Sequence, residues 1–69
     1  MGGPQATGLT DRQVEVLRLV GRGLTDAQIA SELFLSPRTV HAHLRAIYQK
    51  LHVSNRSAAT RYAIQNGLG

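Results

Sequence analysis

The sequence lacks cysteine and tryptophan and holds only one phenylalanine and two tyrosines. Without cysteine it can form neither a disulfide framework nor a thiolate metal site, which fits a reducing compartment. Its apolar runs are a few residues long, far short of the roughly 20 that span a membrane, and no charged-then-apolar signal segment opens it. With 69 residues there is room for one small domain, which we expect to be cytoplasmic.

Acidic residues are absent from the second half of the chain. The four acids all precede residue 36, and five fixed cations follow it: Arg38, Arg45, Lys50, Arg56 and Arg61. The formal net charge is +4. Positive charge concentrated in one half of a domain favours a nucleic-acid partner over an ordinary solvated surface.

Two Thr-x-x-Gln sequences mark helix starts. In such a capping box the threonine hydroxyl accepts a hydrogen bond from the glutamine backbone N–H, while the glutamine side chain reaches back to the threonine N–H. The boxes that begin at Thr10 and Thr25 predict helices over about 11–22 and 26–34, and Gly23 ends the first.

Two further helices follow in the basic half. Ser36 is a preferred N-cap, and the proline after it suits a first helical position, so a third helix is predicted over about 37–51. Ser54 is predicted to cap a fourth helix over about 55–66. Strand patterns are absent, and the glycine-rich residues 1–8 are typical of a disordered lead-in. The prediction is therefore an all-α, four-helix domain over residues 9–68.

A short helix, a tight turn and a longer helix form the outline of a helix-turn-helix. The third helix carries an apolar stripe of Val40, Leu44, Ile47 and Leu51. Steps of about 100° per residue then place on the opposite side Arg38, Ala42, Arg45 and Gln49, with His41 on one flank. Arginine can donate two hydrogen bonds to guanine, and alanine can contact a thymine methyl group. This face is predicted to contact base edges of double-stranded DNA.

Catalytic and metal-binding patterns are absent. His41 and His43 lie about 200° apart around a helix, so they cannot share a metal ion. The chain has no phosphate-binding glycine loop and no serine with a histidine and carboxylate relay. We predict no enzymatic activity, no metal, no cofactor and no small-molecule ligand.

Many further positions carry a family resemblance. They are Leu9 to Arg12, Glu15 to Leu17, Gly23, Ile29, Ala30, Leu33, Ser36, Thr39, Val40, His43, Ile47, Lys50, Leu51, Val53, Arg56, Ala59, Ala63, Gly67 and Leu68. Over about residues 9–68 the chain resembles the LuxR-type (GerE- and NarL-like) DNA-binding domain. The resemblance implies a third helix in the major groove, a fourth helix that pairs two copies on DNA, and an output domain at the C-terminus of a larger transcription regulator.

The resemblance also implies roles for single residues. It places His41, Ala42 and Arg45 against bases and makes Thr39 and Lys50 phosphate contacts. Ser36 and Thr25, at the starts of the third and second helices, are further predicted phosphate contacts.

The fourth helix is poor in large side chains. With Ala59 and Ala63 turned inward, its predicted outer surface consists of Ser57, Ala58, Arg61 and Gln65. So small and polar a surface does not hold two copies together alone. We expect a monomer or weak dimer in solution and a homodimer on DNA.

Some roles stay open. Arg56 is expected to hold the fourth helix, by pairing with Glu15 or capping a helix end, in preference to binding phosphate. His43 suits a structural or a phosphate-side role equally. For the whole domain, the alternatives are a sigma-region-four-like DNA-binding domain and a protein-interaction module that uses the exposed face of the fourth helix.

Overall fold

The computed structural model describes residues 8–68, which form four α-helices and no strand. They are α1 (Asp11–Gly21), α2 (Asp26–Leu33), α3 (Pro37–Leu51) and α4 (Arg56–Gln65). The predicted all-α architecture is confirmed, and each predicted helix end agrees within one residue. Of the predicted lead-in, all but Gly8 lies outside the described residues. None of the four helices is long and apolar enough to cross a bilayer.

The first two helices begin at the predicted capping boxes. The Thr10 hydroxyl accepts from the Gln13 N–H at 3.1 Å, and Gln13 Oε1 accepts from the Thr10 N–H at 3.0 Å. Thr25 and Gln28 repeat both bonds at 3.2 and 2.9 Å. Each box satisfies backbone N–H groups that lack a partner within the helix, which fixes where the helix starts.

The third helix also starts as predicted, but the fourth does not. Ser36 Oγ accepts from the Thr39 N–H at 3.1 Å, directly before the proline that opens α3. At α4 the cap is Asn55, whose Oδ1 accepts from the Ala58 N–H at 2.9 Å. The prediction of Ser54 as the cap is wrong. Serine and asparagine cap helices equally well, so adjacent candidates are separated only by the path of the chain.

All four helices are followed by a residue in the left-handed region. Gly23 follows α1 with φ 89°, a conformation that costs glycine nothing. Gly67 follows α4 in the same way with φ 70°, while Phe34 and His52 come directly after α2 and α3, each with φ 57°. At the end of α2 the Leu35 N–H then donates to the Ala30 carbonyl at 2.9 Å. This reversal keeps the connection between α2 and α3 short.

The apolar faces of all four helices meet in one core. Its buried members are Leu9, Val14, Val16, Leu17, Val20, Ile29, Ala30, Val40, Leu44, Ile47, Ala59 and Ala63. Helix α4 packs mainly on α1, while α3 packs on α1 and α2. Ala59 and Ala63 face inward as predicted, and their small side chains let α4 approach α1 closely. The buried stripe of α3 therefore fixes which side of that helix faces outward.

Candidate nucleic-acid interface

The outward side of α3 carries every predicted base-contacting residue. Val40, Leu44 and Ile47 are at most 2% exposed, and they hold the opposite side of the helix against α1 and α2. The predicted base-contacting residues are all exposed: Arg38, His41, Ala42, Arg45 and Gln49. They lie within about a third of the helix circumference. Ala42 in the middle leaves a low centre between longer side chains, a shape that permits close approach to a groove floor.

The positive charge of this face is not compensated within the domain. Residues 8–68 contain two ion pairs, Arg12 with Glu15 at 3.3 Å and Arg56 with Asp26 at 2.6 Å. Neither involves α3, so Arg38 keeps all of its guanidinium donors for another molecule, as does Arg45. An exposed helix face that has unpaired arginines and no acid attracts a polyanion.

The amino-terminal end of α3 brings two predicted phosphate contacts together. Ser36 Oγ and Thr39 Oγ1 are both exposed and lie 3.0 Å apart. The positive end of the α3 helix dipole lies at the same place and favours an anion. Thr25 lies exposed at the corresponding end of α2.

Lys50, the fourth predicted phosphate contact, lies at the other end of α3. It is exposed, yet its Nζ donates to Gln13 Oε1 at 2.9 Å. No local spacing in the sequence predicts this bond, because its two residues lie 37 positions apart. It ties the last turn of α3 to the first turn of α1 and holds the ammonium group near that helix end.

Arg56 has a structural role, but with a different partner from the one predicted. Its Nη1 donates to Asp26 Oδ1 at 2.6 Å and its Nη2 to the Leu24 carbonyl at 2.6 Å. The predicted pairing with Glu15 is wrong, because Glu15 pairs with Arg12 on the surface of α1. Arg56 thus clamps the start of α4 to the start of α2, and it compensates the negative charge of Asp26.

The remaining histidines lie outside the exposed face. His43 is half-buried on a flank of α3, and His52 is the exposed residue that ends the helix. Within the described part of the chain, no three histidine, aspartate or glutamate side chains come close enough to hold a metal ion.

The outer side of α4 is more apolar than the sequence analysis predicts. Ser57, Arg61 and Gln65 are exposed as expected, and Ala58 is half-buried. Ile64 is exposed as well, with 62% of its surface open to solvent. It lines a shallow groove along α4 together with Ser57, Thr60, Arg61 and Gln65. Steps of about 100° per residue place Ile64 beside Arg61, so the helical pattern also predicts its exposure.

Known proteins similar to this chain are transcription regulators. The family described as "Bacterial regulatory proteins, luxR family" matches residues 7–63. A nitrate/nitrite response regulator protein homolog of Haemophilus influenzae is 50% identical over 52 residues, which is 75% of this chain and 25% of that protein. Transcriptional regulatory protein LiaR of Bacillus subtilis is 43% identical over 60 residues, or 87% of this chain and 28% of LiaR.

A third relative, the uncharacterized transcriptional regulatory protein YxjL of Bacillus subtilis, is 40% identical over 63 residues. The chain covers 91% of its own length in that match and 29% of YxjL, so it spans less than a third of each of these relatives. The family match decides between the two DNA-binding alternatives and leaves the sigma-region-four type without support. The chain belongs to the luxR family of bacterial regulatory proteins, and it is a helix-turn-helix domain of the kind that binds double-stranded DNA.

Proposed function

We propose that α3 enters the major groove and recognises a DNA sequence through its exposed face. The observation that carries this proposal is the face itself, with Arg38 and Arg45 unpaired on a helix that has no acid. An α-helix fits the major groove of B-DNA, where each base pair shows a distinct set of donors and acceptors. In this arrangement Arg45 and Arg38 donate to guanine, Gln49 and His41 contact neighbouring base edges, and Ala42 lies against a thymine methyl group.

Ser36, Thr39, Thr25 and Lys50 form the proposed phosphate contacts. The hydroxyl groups lie at the starts of α2 and α3, where helix dipoles favour an anion. Lys50 lies in the last turn of α3, at the opposite end of that helix from Ser36 and Thr39. Contacts at both ends of a helix fix its register along the groove but carry no sequence information. The base-facing residues lie between them.

We further propose that the domain serves a longer transcription regulator as its DNA-binding output. The support is that its relatives, named as response or transcriptional regulators, are three to four times longer than the matched segment. Such a domain acts by binding and not by catalysis, and its target places it in the bacterial cytoplasm.

A pairing of two copies on DNA is proposed through α4. The groove along α4 has one large apolar side chain, Ile64, set among small and polar residues. This is little apolar area against the roughly 800 Å² per partner of a standard stable interface. On adjacent half-sites DNA holds both copies at high effective concentration, so a weak contact suffices.

Modified bases test the major-groove placement directly. A site is first selected from a random double-stranded pool, and each guanine in it is then replaced singly by 7-deazaguanine, which removes only the major-groove N7 acceptor. We expect at least one such replacement to weaken binding about tenfold, within the range for one good arginine–guanine contact. Inosine in the same places removes only the minor-groove amino group and is the matched control. Weakening by inosine alone would contradict the proposal.

A further inference from the structure

The Gln13 side chain joins the start of α1 to the end of α3. Gln13 is the one polar residue that is buried within residues 8–68, with 8% of its surface exposed. Its Oε1 accepts two hydrogen bonds, from the Thr10 N–H at 3.0 Å and from Lys50 Nζ at 2.9 Å. One of these belongs to the capping box, and the other reaches 37 residues along the chain.

The bond to Gln13 restricts the conformation of the Lys50 side chain but leaves some of its hydrogen-bond donors free. A lysine side chain has four flexible torsions, and ordering it upon binding costs up to about 2 kcal/mol. The ammonium group has three donors, and the bond to Gln13 occupies one. Lys50 is itself exposed, so its remaining donors are open to another molecule at the end of α3.

The chemistry of the acceptor matters as much as its position. An amide oxygen orients the ammonium group but carries no net charge. A carboxylate in the same place would form an ion pair with Lys50 and compensate its charge, so less of that charge would act on a phosphate. Gln13 therefore orients Lys50 and leaves its charge intact.

We propose that Gln13 is a positioning residue for DNA binding, which presents Lys50 to the phosphate backbone as a pre-oriented, uncompensated cation. This inference rests on the phosphate contact of Lys50 in the proposed function. Gln13 itself is buried and touches no DNA. Its contribution passes through Lys50 alone.

The proposal implies a conflict between folding and binding at this residue. Gln13→Glu keeps the shape of the side chain and its acceptor oxygen. It also adds a negative charge in the first turn of α1, which the helix dipole favours, and an ion pair with Lys50. We expect this variant to resist urea at least as well as the original chain and to bind DNA less well.

A double-mutant cycle over Gln13→Glu and Lys50→Met tests the proposal. The affinity of the 69-residue chain and of each variant for the selected DNA site is measured at several salt concentrations. Lys50→Met removes one phosphate contact, so the slope of log affinity against log salt becomes shallower by about 0.9. Gln13→Glu alone should shift the slope in the same direction, with about five- to tenfold weaker binding near 0.1 M salt. In the Lys50→Met background Gln13→Glu should change affinity by less than about twofold, since a distant charge is screened.

Each other outcome contradicts either the role of Gln13 or the phosphate contact of Lys50. If Lys50→Met flattens the slope but Gln13→Glu does not, Lys50 contacts phosphate unaided and the role of Gln13 is wrong. If Gln13→Glu weakens binding equally in both backgrounds, it acts as a general charge and the coupling is again wrong. If Lys50→Met leaves the slope unchanged, the phosphate contact of Lys50 in the proposed function fails together with this inference, while α3 recognition through Arg45 is tested separately.

Discussion

At the residue scale, two side chains occupy backbone positions that suit glycine. Phe34 and His52 both have φ 57° at the ends of α2 and α3. Left-handed backbone costs an ordinary residue about 1–2 kcal/mol, whereas asparagine adopts it readily. Phe34 combines that cost with 95% exposure of its surface, so its ring gains almost nothing from burial.

Phe34→Asn should therefore stabilise the domain. We expect the free energy of unfolding in urea to rise by about 1 kcal/mol, because the left-handed turn is retained at lower cost. Phe34→Ala is the matched control, since it removes the ring but keeps the backbone penalty, and it should leave stability nearly unchanged. A loss of stability in Phe34→Asn would show that the ring contributes to the fold.

The sequence predicts local contacts at single residues better than distant ones. The bonds of Thr10, Thr25 and Ser36 span three residues, and the capping patterns predict them. The bond from Lys50 to Gln13 and the clamp from Arg56 to Asp26 span 37 and 30 residues. They depend on how helices cross, and no spacing along the chain encodes that.

At the scale of elements, Arg56 links α4 to α2. Helix α4 is the one proposed to pair two copies, and α2 packs against α3. Its guanidinium group bonds to both the Asp26 carboxylate and the Leu24 carbonyl at the start of α2. Both charged side chains are more than a third exposed, so solvent screens the pair, and geometry contributes more than charge.

Arg56→Ala should lower the free energy of unfolding by about 1–2 kcal/mol, since it leaves a half-buried carboxylate and a carbonyl without their donor. Asp26→Asn is the control, because it keeps an acceptor oxygen for Arg56 and should cost less than about half as much. Urea unfolding of both variants measures this. Equal losses would mean that the charge of the pair, and not its hydrogen bonds, holds α4 in place.

The outer side of α4 yields a prediction about assembly. Ile64→Ser removes the large apolar side chain of the α4 groove without changing any charge. It should abolish cooperative filling of a two-half-site DNA and leave the affinity for one half-site within about twofold, because a weak contact counts only at high effective concentration. Sedimentation of the free domain should show a monomer. A tight dimer without DNA, or cooperativity that survives the substitution, would contradict pairing through this surface.

Helix boundaries show how far sequence patterns reach at this scale. Capping chemistry and the apolar stripe of α3 predict every helix to within one residue, and they also predict which side of α3 faces outward. The exposure of Ile64 could also be predicted, from the same 100° steps per residue around α4. The choice of Asn55 over Ser54 as the N-cap of α4 could not be predicted, because both residue types cap helices equally well.

At the scale of the whole molecule, charge is separated between two halves of one small domain. The acids lie on α1 and α2, and two of them are paired with arginines. Helices α3 and α4 carry only cations, and those on α3 have no partner of opposite charge among residues 8–68. With Lys50 as the cation proposed at a phosphate, log affinity should fall with log salt at a slope of about −0.9 or steeper.

Arg45→Ala measures whether α3 distinguishes bases. The affinities of the original chain and the variant are measured for the selected site and for random DNA of the same length, at one salt concentration. We predict that the variant loses about 1–3 kcal/mol of discrimination between the two DNAs, because Arg45 contacts a base edge. Lys50→Met, which also removes one positive charge, should weaken both complexes equally. Equal losses on both DNAs for Arg45→Ala would contradict the account.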